Sequence, residues 1–271
     1  MKELLQRVIV ALIAIPILIY AILEGGSWFF SLILAIALLG QWEFYKISSA
    51  KSINPQKTAG YLISAAILTG IQFGFYEYYL IPFLILMVFI VFISEMFINN
   101  GSALANISFT LSGVIYPAMF LGALLLVRDH SNSLTDEKRG LFTLSIFVSI
   151  WVCDTFAYFF GKQFGKHKLF PRVSPKKSIE GAVAGLLGAV LTFFLFDKLG
   201  EINMPLIITL ISGLIVGIFG QFGDLVESWF KRDAGVKDSS AILPGHGGIL
   251  DRFDSLLFIS PLFLILFLLW T

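Results

Sequence analysis

Nine times along its 271 residues the chain runs through a predominantly apolar stretch of about 20 residues, the length a helix needs to cross the hydrocarbon core of a bilayer. The stretches are about Leu4–Leu23, Trp28–Ile47, Ala59–Phe75, Tyr79–Ile98, Ile107–Val127, Leu141–Phe160, Gly181–Leu199, Met204–Phe222 and Leu250–Trp270, the third being the shortest. This pattern predicts an all-α, polytopic integral membrane helical bundle of about nine transmembrane helices. The first stretch follows a short Lys2/Arg7 head and has no small-residue cleavage site, so a retained helix is expected rather than a cleaved signal peptide. Pro117 predicts a kink in the fifth helix, and Asn99-Asn100-Gly101 a turn before it. No internal repeat or low-complexity linker divides the chain, so residues 1–271 read as one membrane domain.

Composition agrees with the pattern and removes other classes. Only 14% of the residues are charged, against about 25% in a soluble domain, and the mean hydropathy is +0.87. A net charge of +1 argues against a nucleic-acid partner, which would need a concentrated basic surface. The single Cys153 rules out an intrachain disulfide framework or a Cys-based metal cluster and reads as packing. The 28 Phe residues suit lipid-facing surface.

Lys and Arg in the short loops set the orientation. With the N-terminus inside, the inside loops carry Lys46, Lys51 and Lys57, then the basic residues between Lys162 and Lys177, then Lys231, Arg232 and Lys237. The outside loops are balanced, as in the segment from Arg128 to Arg139, and an odd number of crossings places Thr271 outside. Glu43 and Glu95 then lie near the cytoplasmic ends of their spans, where they reach water or serve the structure.

Two polar stretches stand out. From Gly223 to Ser255 the chain reads GDLVESWFKRDAGVKDSSAILPGHGGILDRFDS. Carboxylates at i and i+3 share a helix face, so Asp224 with Glu227, and Asp251 with Asp254, are expected to form two inward-facing pairs. Two such pairs facing each other call for a cation, and hard carboxylate oxygens suit Mg²⁺, which shares itself between protein and substrate phosphates. Lys231, Arg232 and Lys237 between them are donors for phosphate oxygens. His246, followed by two glycines at the start of the last helix, reads as a phosphate contact, a contact to metal-bound water, or an orienting group. The other stretch runs from Asp154 to Gly181. An Asp inside a membrane span is costly and marks a functional or structural polar network; Tyr158, at i+4, is placed to hydrogen-bond it. Lys162, Lys166, His167, Lys168, Arg172, Lys176 and Lys177 follow, and Ser178 is a helix-capping candidate. This basic run reads either as a positive-inside loop on anionic headgroups or as an anion site at a helix N-terminus.

From Ser228 the sequence Ser-Trp-Phe-Lys-Arg, then Lys237-Asp238, Ser240, Leu243-Pro244, His246-Gly-Gly-Ile and Asp251-Arg-Phe-Asp254, closely resembles the signature of the phosphatidate cytidylyltransferases, or CDP-diacylglycerol synthases. Asp154-x3-Tyr158-x2-Gly161-x3-Gly165-Lys166 and Ser174-Pro-Lys-Lys-Ser-x-Glu-Gly181 resemble patterns upstream of it in the same family. The resemblance implies CTP and phosphatidate as substrates and CDP-diacylglycerol and pyrophosphate as products. It implies a bacterial plasma (inner) membrane location, with membrane lipids around the protein and the active site facing the cytoplasm. In that setting Asp224, Asp251 and Asp254, with Glu227 second, are the expected Mg²⁺ ligands. Lys176, Lys177, Ser228, Lys231, Arg232, Lys237 and Arg252 are expected to meet phosphates, with Lys237 and His246 also counted catalytic. Asp154, Tyr158, Ser178 and Asp238 support them. A second, monovalent cation in the acidic site is left open. Gly181, Gly185 and Gly188, with Gly213 and Gly217, offer small-residue faces that would serve either a homodimer or the bundle interior.

Rival readings fit less well. A transporter would spread its charges across many helices near the bilayer centre and show internal repeats. A CDP-alcohol phosphotransferase would carry D-G-x2-A-R-x8-G-x3-D-x3-D, which is absent.

Overall fold

The computed structural model describes residues 2–98, 100–130, 134–200, 202–242 and 247–270. Among the described residues there are nine helices: α1 Lys2–Glu24, α2 Gly26–Ser49, α3 Lys57–Gln72, α4 Tyr76–Glu95, α5 Ala103–Asp129, α6 Asp136–Phe164, α7 Ile179–Leu199, α8 Leu206–Asp233 and α9 Leu250–Trp270. Six of them, α2 and α5 to α9, are long and apolar enough to cross a membrane by length and composition. The remaining apolar segments are shorter: Val10–Glu24 in α1, the 16-residue α3 and Ile81–Glu95 in α4. The all-α membrane architecture is as expected.

Two of the long helices widen locally to π geometry, at Val114–Met119 in α5 and Ile215–Gly220 in α8. Pro117 lies in the first, so the expected kink takes the form of a π turn. In the second, the Gly220 carbonyl accepts a hydrogen bond from Ser255 Oγ of α9 at 2.9 Å, which satisfies a group at the end of the widened turn. Such insertions recur at functional sites, and the α8 insertion sets the register of the acidic turn that follows.

Two features depart from the sequence expectation. First, α8 does not stop where the apolar run ends at Phe222 but continues to Asp233. Second, the basic loop contains a small antiparallel hairpin, β1 Lys168–Phe170 with β2 Ser174–Ser178. Of the two roles left open for Glu43 and Glu95, the structure shows the structural one, for both are buried. Glu95 is buried and accepts from Gln56 Nε2 at 2.6 Å and Asn106 Nδ2 at 2.8 Å, a network that ties α4, α5 and the α2–α3 connection together.

The glycine faces are used inside the bundle. A Cβ at Gly181 would stand 2.6 Å from the Ala157 carbonyl, and one at Gly213 would stand 2.5 Å from Val190 Cα, so α6–α7 and α7–α8 pack backbone to backbone. At the end opposite the hairpin, fully buried Arg128 of α5 donates to the carbonyls of Ile22 and Leu23 at 2.6 Å and pairs with Asp136 at 2.8 Å. A cation on the unpaired carbonyls of a helix C-terminus is favourable, and Arg128 locks α1, α5 and α6 at that end.

Candidate active site

The two polar stretches meet at the other end of the bundle. Ser178 begins α7 in extended conformation and its Oγ accepts from Gly181 N at 3.2 Å, so the expected cap forms. That cap turns β2 back over α6 and aims Lys177 at α8, where its Nζ lies 2.6 Å from Asp224 Oδ2. Beside this ion pair is a cavity of about 410 Å³ lined by Asp154, Tyr158, Lys162, Lys176, Lys177 and Asp224, with Ser178 and Gln221. Residues singled out in the two stretches thus share one space. Tyr158 does not hydrogen-bond Asp154; both face the cavity, and the Tyr158 ring packs edge-on to Phe159.

Behind that cavity α8 and α9 come into backbone contact. Gly223 makes this possible, since a Cβ there would lie 2.6 Å from the Asp254 carbonyl. Asp254 therefore falls within the electrostatic reach of Asp224, Glu227 and Asp154, and Asp154 within that of Lys177 and Arg252. The carboxylates pair between helices rather than along each one. Glu227 of α8 and Asp251 of α9 share the Lys231 ammonium, with Nζ 2.5 Å from Glu227 Oε2 and 2.5 Å from Asp251 Oδ1. Lys231, read from sequence as a phosphate donor, is here a buried counter-ion. The second Asp251 oxygen is taken by the chain leading into α9: Gly248 N at 2.8 Å, Ser239 Oγ at 3.0 Å and Ser239 N at 3.3 Å.

The remaining expected residues are distributed around this centre. Ser228 Oγ donates to Asp224 Oδ1 at 3.3 Å. Arg232, Lys237 and Asp238 are exposed and are not among the residues lining the cavity. Arg252 is exposed on the first turn of α9. His246 lies outside the described residues.

Sequence reasoning missed two contributors. Glu43 of α2 is fully buried and accepts four hydrogen bonds from the signature segment. Tyr116, in the π turn of α5, lies within the field of Asp254, Glu227 and Asp224. It also walls a second cavity of about 450 Å³ on the neighbouring face of α8, together with Phe44, Phe109, Trp229 and Phe230; Lys51 and Asp233 form an ion pair among its lining residues. A lone acid in an apolar run was the one available signal for Glu43; Tyr116 gave none.

Comparison with known proteins fits this geometry. The sequence profile described as the Cytidylyltransferase family matches residues 5–270. The chain belongs to the cytidylyltransferase family. It is 37% identical over 265 residues to a phosphatidate cytidylyltransferase of Staphylococcus aureus, covering 96% of this chain and 97% of the relative. It is 35% identical over 261 residues to one of Staphylococcus epidermidis, with the same two coverages. To the phosphatidate cytidylyltransferase of Bacillus subtilis it is 32% identical over 264 residues, 96% of each chain. For a cytidylyltransferase, a cavity combining inner carboxylates with outer lysines has the chemistry to receive phosphate groups and the cation that accompanies them.

Proposed function

We propose that the protein is a phosphatidate cytidylyltransferase, joining CTP to phosphatidate to give CDP-diacylglycerol and pyrophosphate. Family membership supports this, and the observation that carries it in the structure is the single cavity in which Lys176, Lys177 and Asp154 from one stretch meet Asp224 from the other. A phosphate oxygen of phosphatidate attacks the α-phosphorus of CTP in line, the bond from that phosphorus to the bridging oxygen breaks, and pyrophosphate leaves. The nucleophile is already anionic, so no strong general base is needed. The barrier is the approach of two polyanions, and positioning with charge neutralisation lowers it. Lys162, Lys176 and Lys177 at the cavity hold phosphate oxygens. Lys237, Arg232 and Arg252 extend that basic surface over the same end, and Ser228 and Asp238 support it. The aromatic cavity beyond Tyr116 suits the apolar part of the lipid.

The donor set fits Mg²⁺. Asp224, Glu227 and Asp254 offer hard oxygens, and among the described residues buried Glu227 Oε1 has no hydrogen-bond donor while Oε2 meets the Lys231 ammonium. The ammonium groups of Lys177 and Lys231 already sit on this cluster. Among the described residues no three His, Cys, Asp or Glu side chains converge at ligating distance; Asp251, expected as a ligand, has its oxygens engaged by Lys231, Ser239 and Gly248, so Asp224, Glu227 and Asp254 are the acids that would hold the ion. When bound, Mg²⁺ would neutralise phosphate charge and stabilise the leaving pyrophosphate. A second, monovalent cation is not required by this arrangement.

Contacts at the two ends support nine crossings with the site in the cytoplasm. Lys51–Asp233 and Lys177–Asp224 join the ends of α2 and α8 to the hairpin, while Arg128 joins α1, α5 and α6 at the opposite end, as alternating crossings require. The basic hairpin then faces inside, following the charge rule, in the plasma membrane of a bacterium. With the glycine faces spent inside the bundle, a homodimer would use another surface.

The test is an assay of purified protein with radiolabelled CTP and phosphatidate, with and without Mg²⁺. Labelled CDP-diacylglycerol is expected only with both substrates and the metal. Wild-type protein that transfers no label to lipid would refute the proposal.

A further inference from the structure

Glu43 lies near the C-terminal end of α2, some 196 residues before its first partner, and is fully buried. Each of its oxygens accepts from one hydroxyl and one backbone amide. Oε1 takes Ser240 Oγ, and Ile249 N at 2.9 Å; Oε2 takes Ser239 Oγ at 2.9 Å and Leu250 N at 2.7 Å. The two amides lie at the start of α9, where N–H groups lack helical partners and negative charge is favoured. The carboxylate therefore binds α2, the 239–240 segment and α9 into one unit. No side chain fits beneath it. A Cβ at Gly248 would stand 1.9 Å from Ser239 Oγ and 2.6 Å from both Glu43 oxygens.

The Ser239 hydroxyl makes this more than a clamp. It lies 2.9 Å from Glu43 Oε2 and 3.0 Å from Asp251 Oδ2, and a hydroxyl has one proton for two carboxylates. Moving either acid shifts the hydroxyl on which the other depends. Asp251 in turn holds Lys231, and Lys231 holds Glu227. Ser240, by contrast, contacts Glu43 without touching Asp251.

We infer that Glu43 is a positioning residue for nucleotidyl transfer: through Ser239 and the first amides of α9 it sets Asp251, and through Asp251 the Lys231 ammonium inside the acidic cluster. This rests on the function proposed above. A residue that only fastened α2 to α9 would act equally through both serines; a positioning residue acts through Ser239.

The experiment compares Glu43→Gln, Ser239→Ala and Ser240→Ala in purified full-length protein. It reads kcat, KM for CTP, the Mg²⁺ concentration giving half-maximal rate, and the thermal midpoint in detergent. Ser239→Ala is expected to lower kcat about tenfold, the scale of one hydrogen bond to a charged group, and to raise the Mg²⁺ requirement at least ~3-fold, with a fall in midpoint similar to that of Ser240→Ala, which removes the other hydroxyl on Glu43. Ser240→Ala should stay within about twofold in kcat and in Mg²⁺ requirement. Glu43→Gln, which turns an amide NH₂ toward donors, should exceed Ser239→Ala in kcat loss. Equal kcat losses in the two serine variants, or effects of Glu43→Gln and Ser239→Ala confined to the thermal midpoint, would overturn the inference. Wild-type protein without CDP-diacylglycerol formation would instead overturn the function on which it rests.

Discussion

Replacing Lys231 by Met keeps the aliphatic stem and removes the ammonium that two carboxylates share. In the structure Nζ lies 2.5 Å from both Glu227 Oε2 and Asp251 Oδ1, and the three side chains are only 11%, 2% and 12% exposed. Water can solvate little of what is left behind. Removing one partner of such a buried pair costs about 3–5 kcal/mol, because the remaining charge stays desolvated. At roughly 2–4 °C per kcal/mol for a chain of this size, the thermal midpoint should fall by at least ~6 °C. Lys51→Met is the control. Its pair with Asp233 has side chains 39% and 60% exposed, and an exposed pair contributes at most about 1 kcal/mol, hence a shift of no more than ~4 °C. Thermal unfolding followed by tryptophan fluorescence in detergent measures both. The double variant Lys231→Met/Glu227→Gln should regain part of the loss, since it removes one of the two stranded charges while Asp251 keeps its donors from Ser239 and Gly248. If Lys231→Met and Lys51→Met shift the midpoint equally, the account of a buried, charge-balanced α8–α9 junction is wrong.

Other outcomes can be checked separately. Lys177→Ala breaks a half-exposed pair with Asp224, so it should cost under ~1 kcal/mol of stability while raising KM for CTP or phosphatidate about tenfold through a lost phosphate contact; initial rates at varied substrate give the answer. Asp251→Asn should leave a folded membrane protein that has lost most CDP-diacylglycerol formation, and near-normal turnover would remove Asp251 from the mechanism. Gly248→Ala puts a methyl group 1.9 Å from Ser239 Oγ and should depress both midpoint and kcat, with a silent substitution contradicting the packing around Glu43. In a Cys153→Ala background, Lys166→Cys should react with a membrane-impermeant maleimide only after cells are opened; labelling of intact cells would reverse the proposed orientation.

The helices were legible because apolar runs end where helices meet water, and eight of the nine runs end within a few residues of a helix end. The exception is instructive. From Asp224 to Asp233 the chain is polar yet helical, because Asp224, Glu227 and Lys231 face the hairpin and α9 and Asp233 meets Lys51. Hydropathy reports what a residue touches, and buried ion pairs are invisible to it. The site was legible where its geometry is local, as with Ser178 capping α7 or Asp224 and Glu227 on one turn. The i,i+4 spacing of Glu227 and Lys231 was also present in the sequence, but the run of neighbouring basic residues favoured a phosphate role for Lys231. The hairpin escaped notice because Pro175 and three lysines obscure any strand alternation. The partners of Glu43 could not have been assigned, since every one lies 196 or more positions away.

The way charge is layered at this end of the bundle bears on which species the site can accept. Five carboxylates, Asp154, Asp224, Glu227, Asp251 and Asp254, lie on α6, α8 and α9 within one another's fields, directly or through a shared lysine. Two cations answer them at close range, Lys177 and Lys231, and exposed Arg252 acts on Asp154 from the edge. With Arg252 counted, the cluster is acidic by two charges when all are ionised, an excess that one divalent cation would cancel. The outer layer, with Lys162 and Lys176 on the cavity wall, has the opposite sign. A polyanion alone would be drawn to the outer lysines and repelled by the inner acids, whereas a phosphate–Mg²⁺ unit matches both layers. On the Mg²⁺ chemistry proposed above, free CTP in excess over Mg²⁺ should inhibit by occupying the lysines without filling the acidic layer. Rates that rise monotonically with CTP at fixed, limiting Mg²⁺ would show that the two layers do not act together.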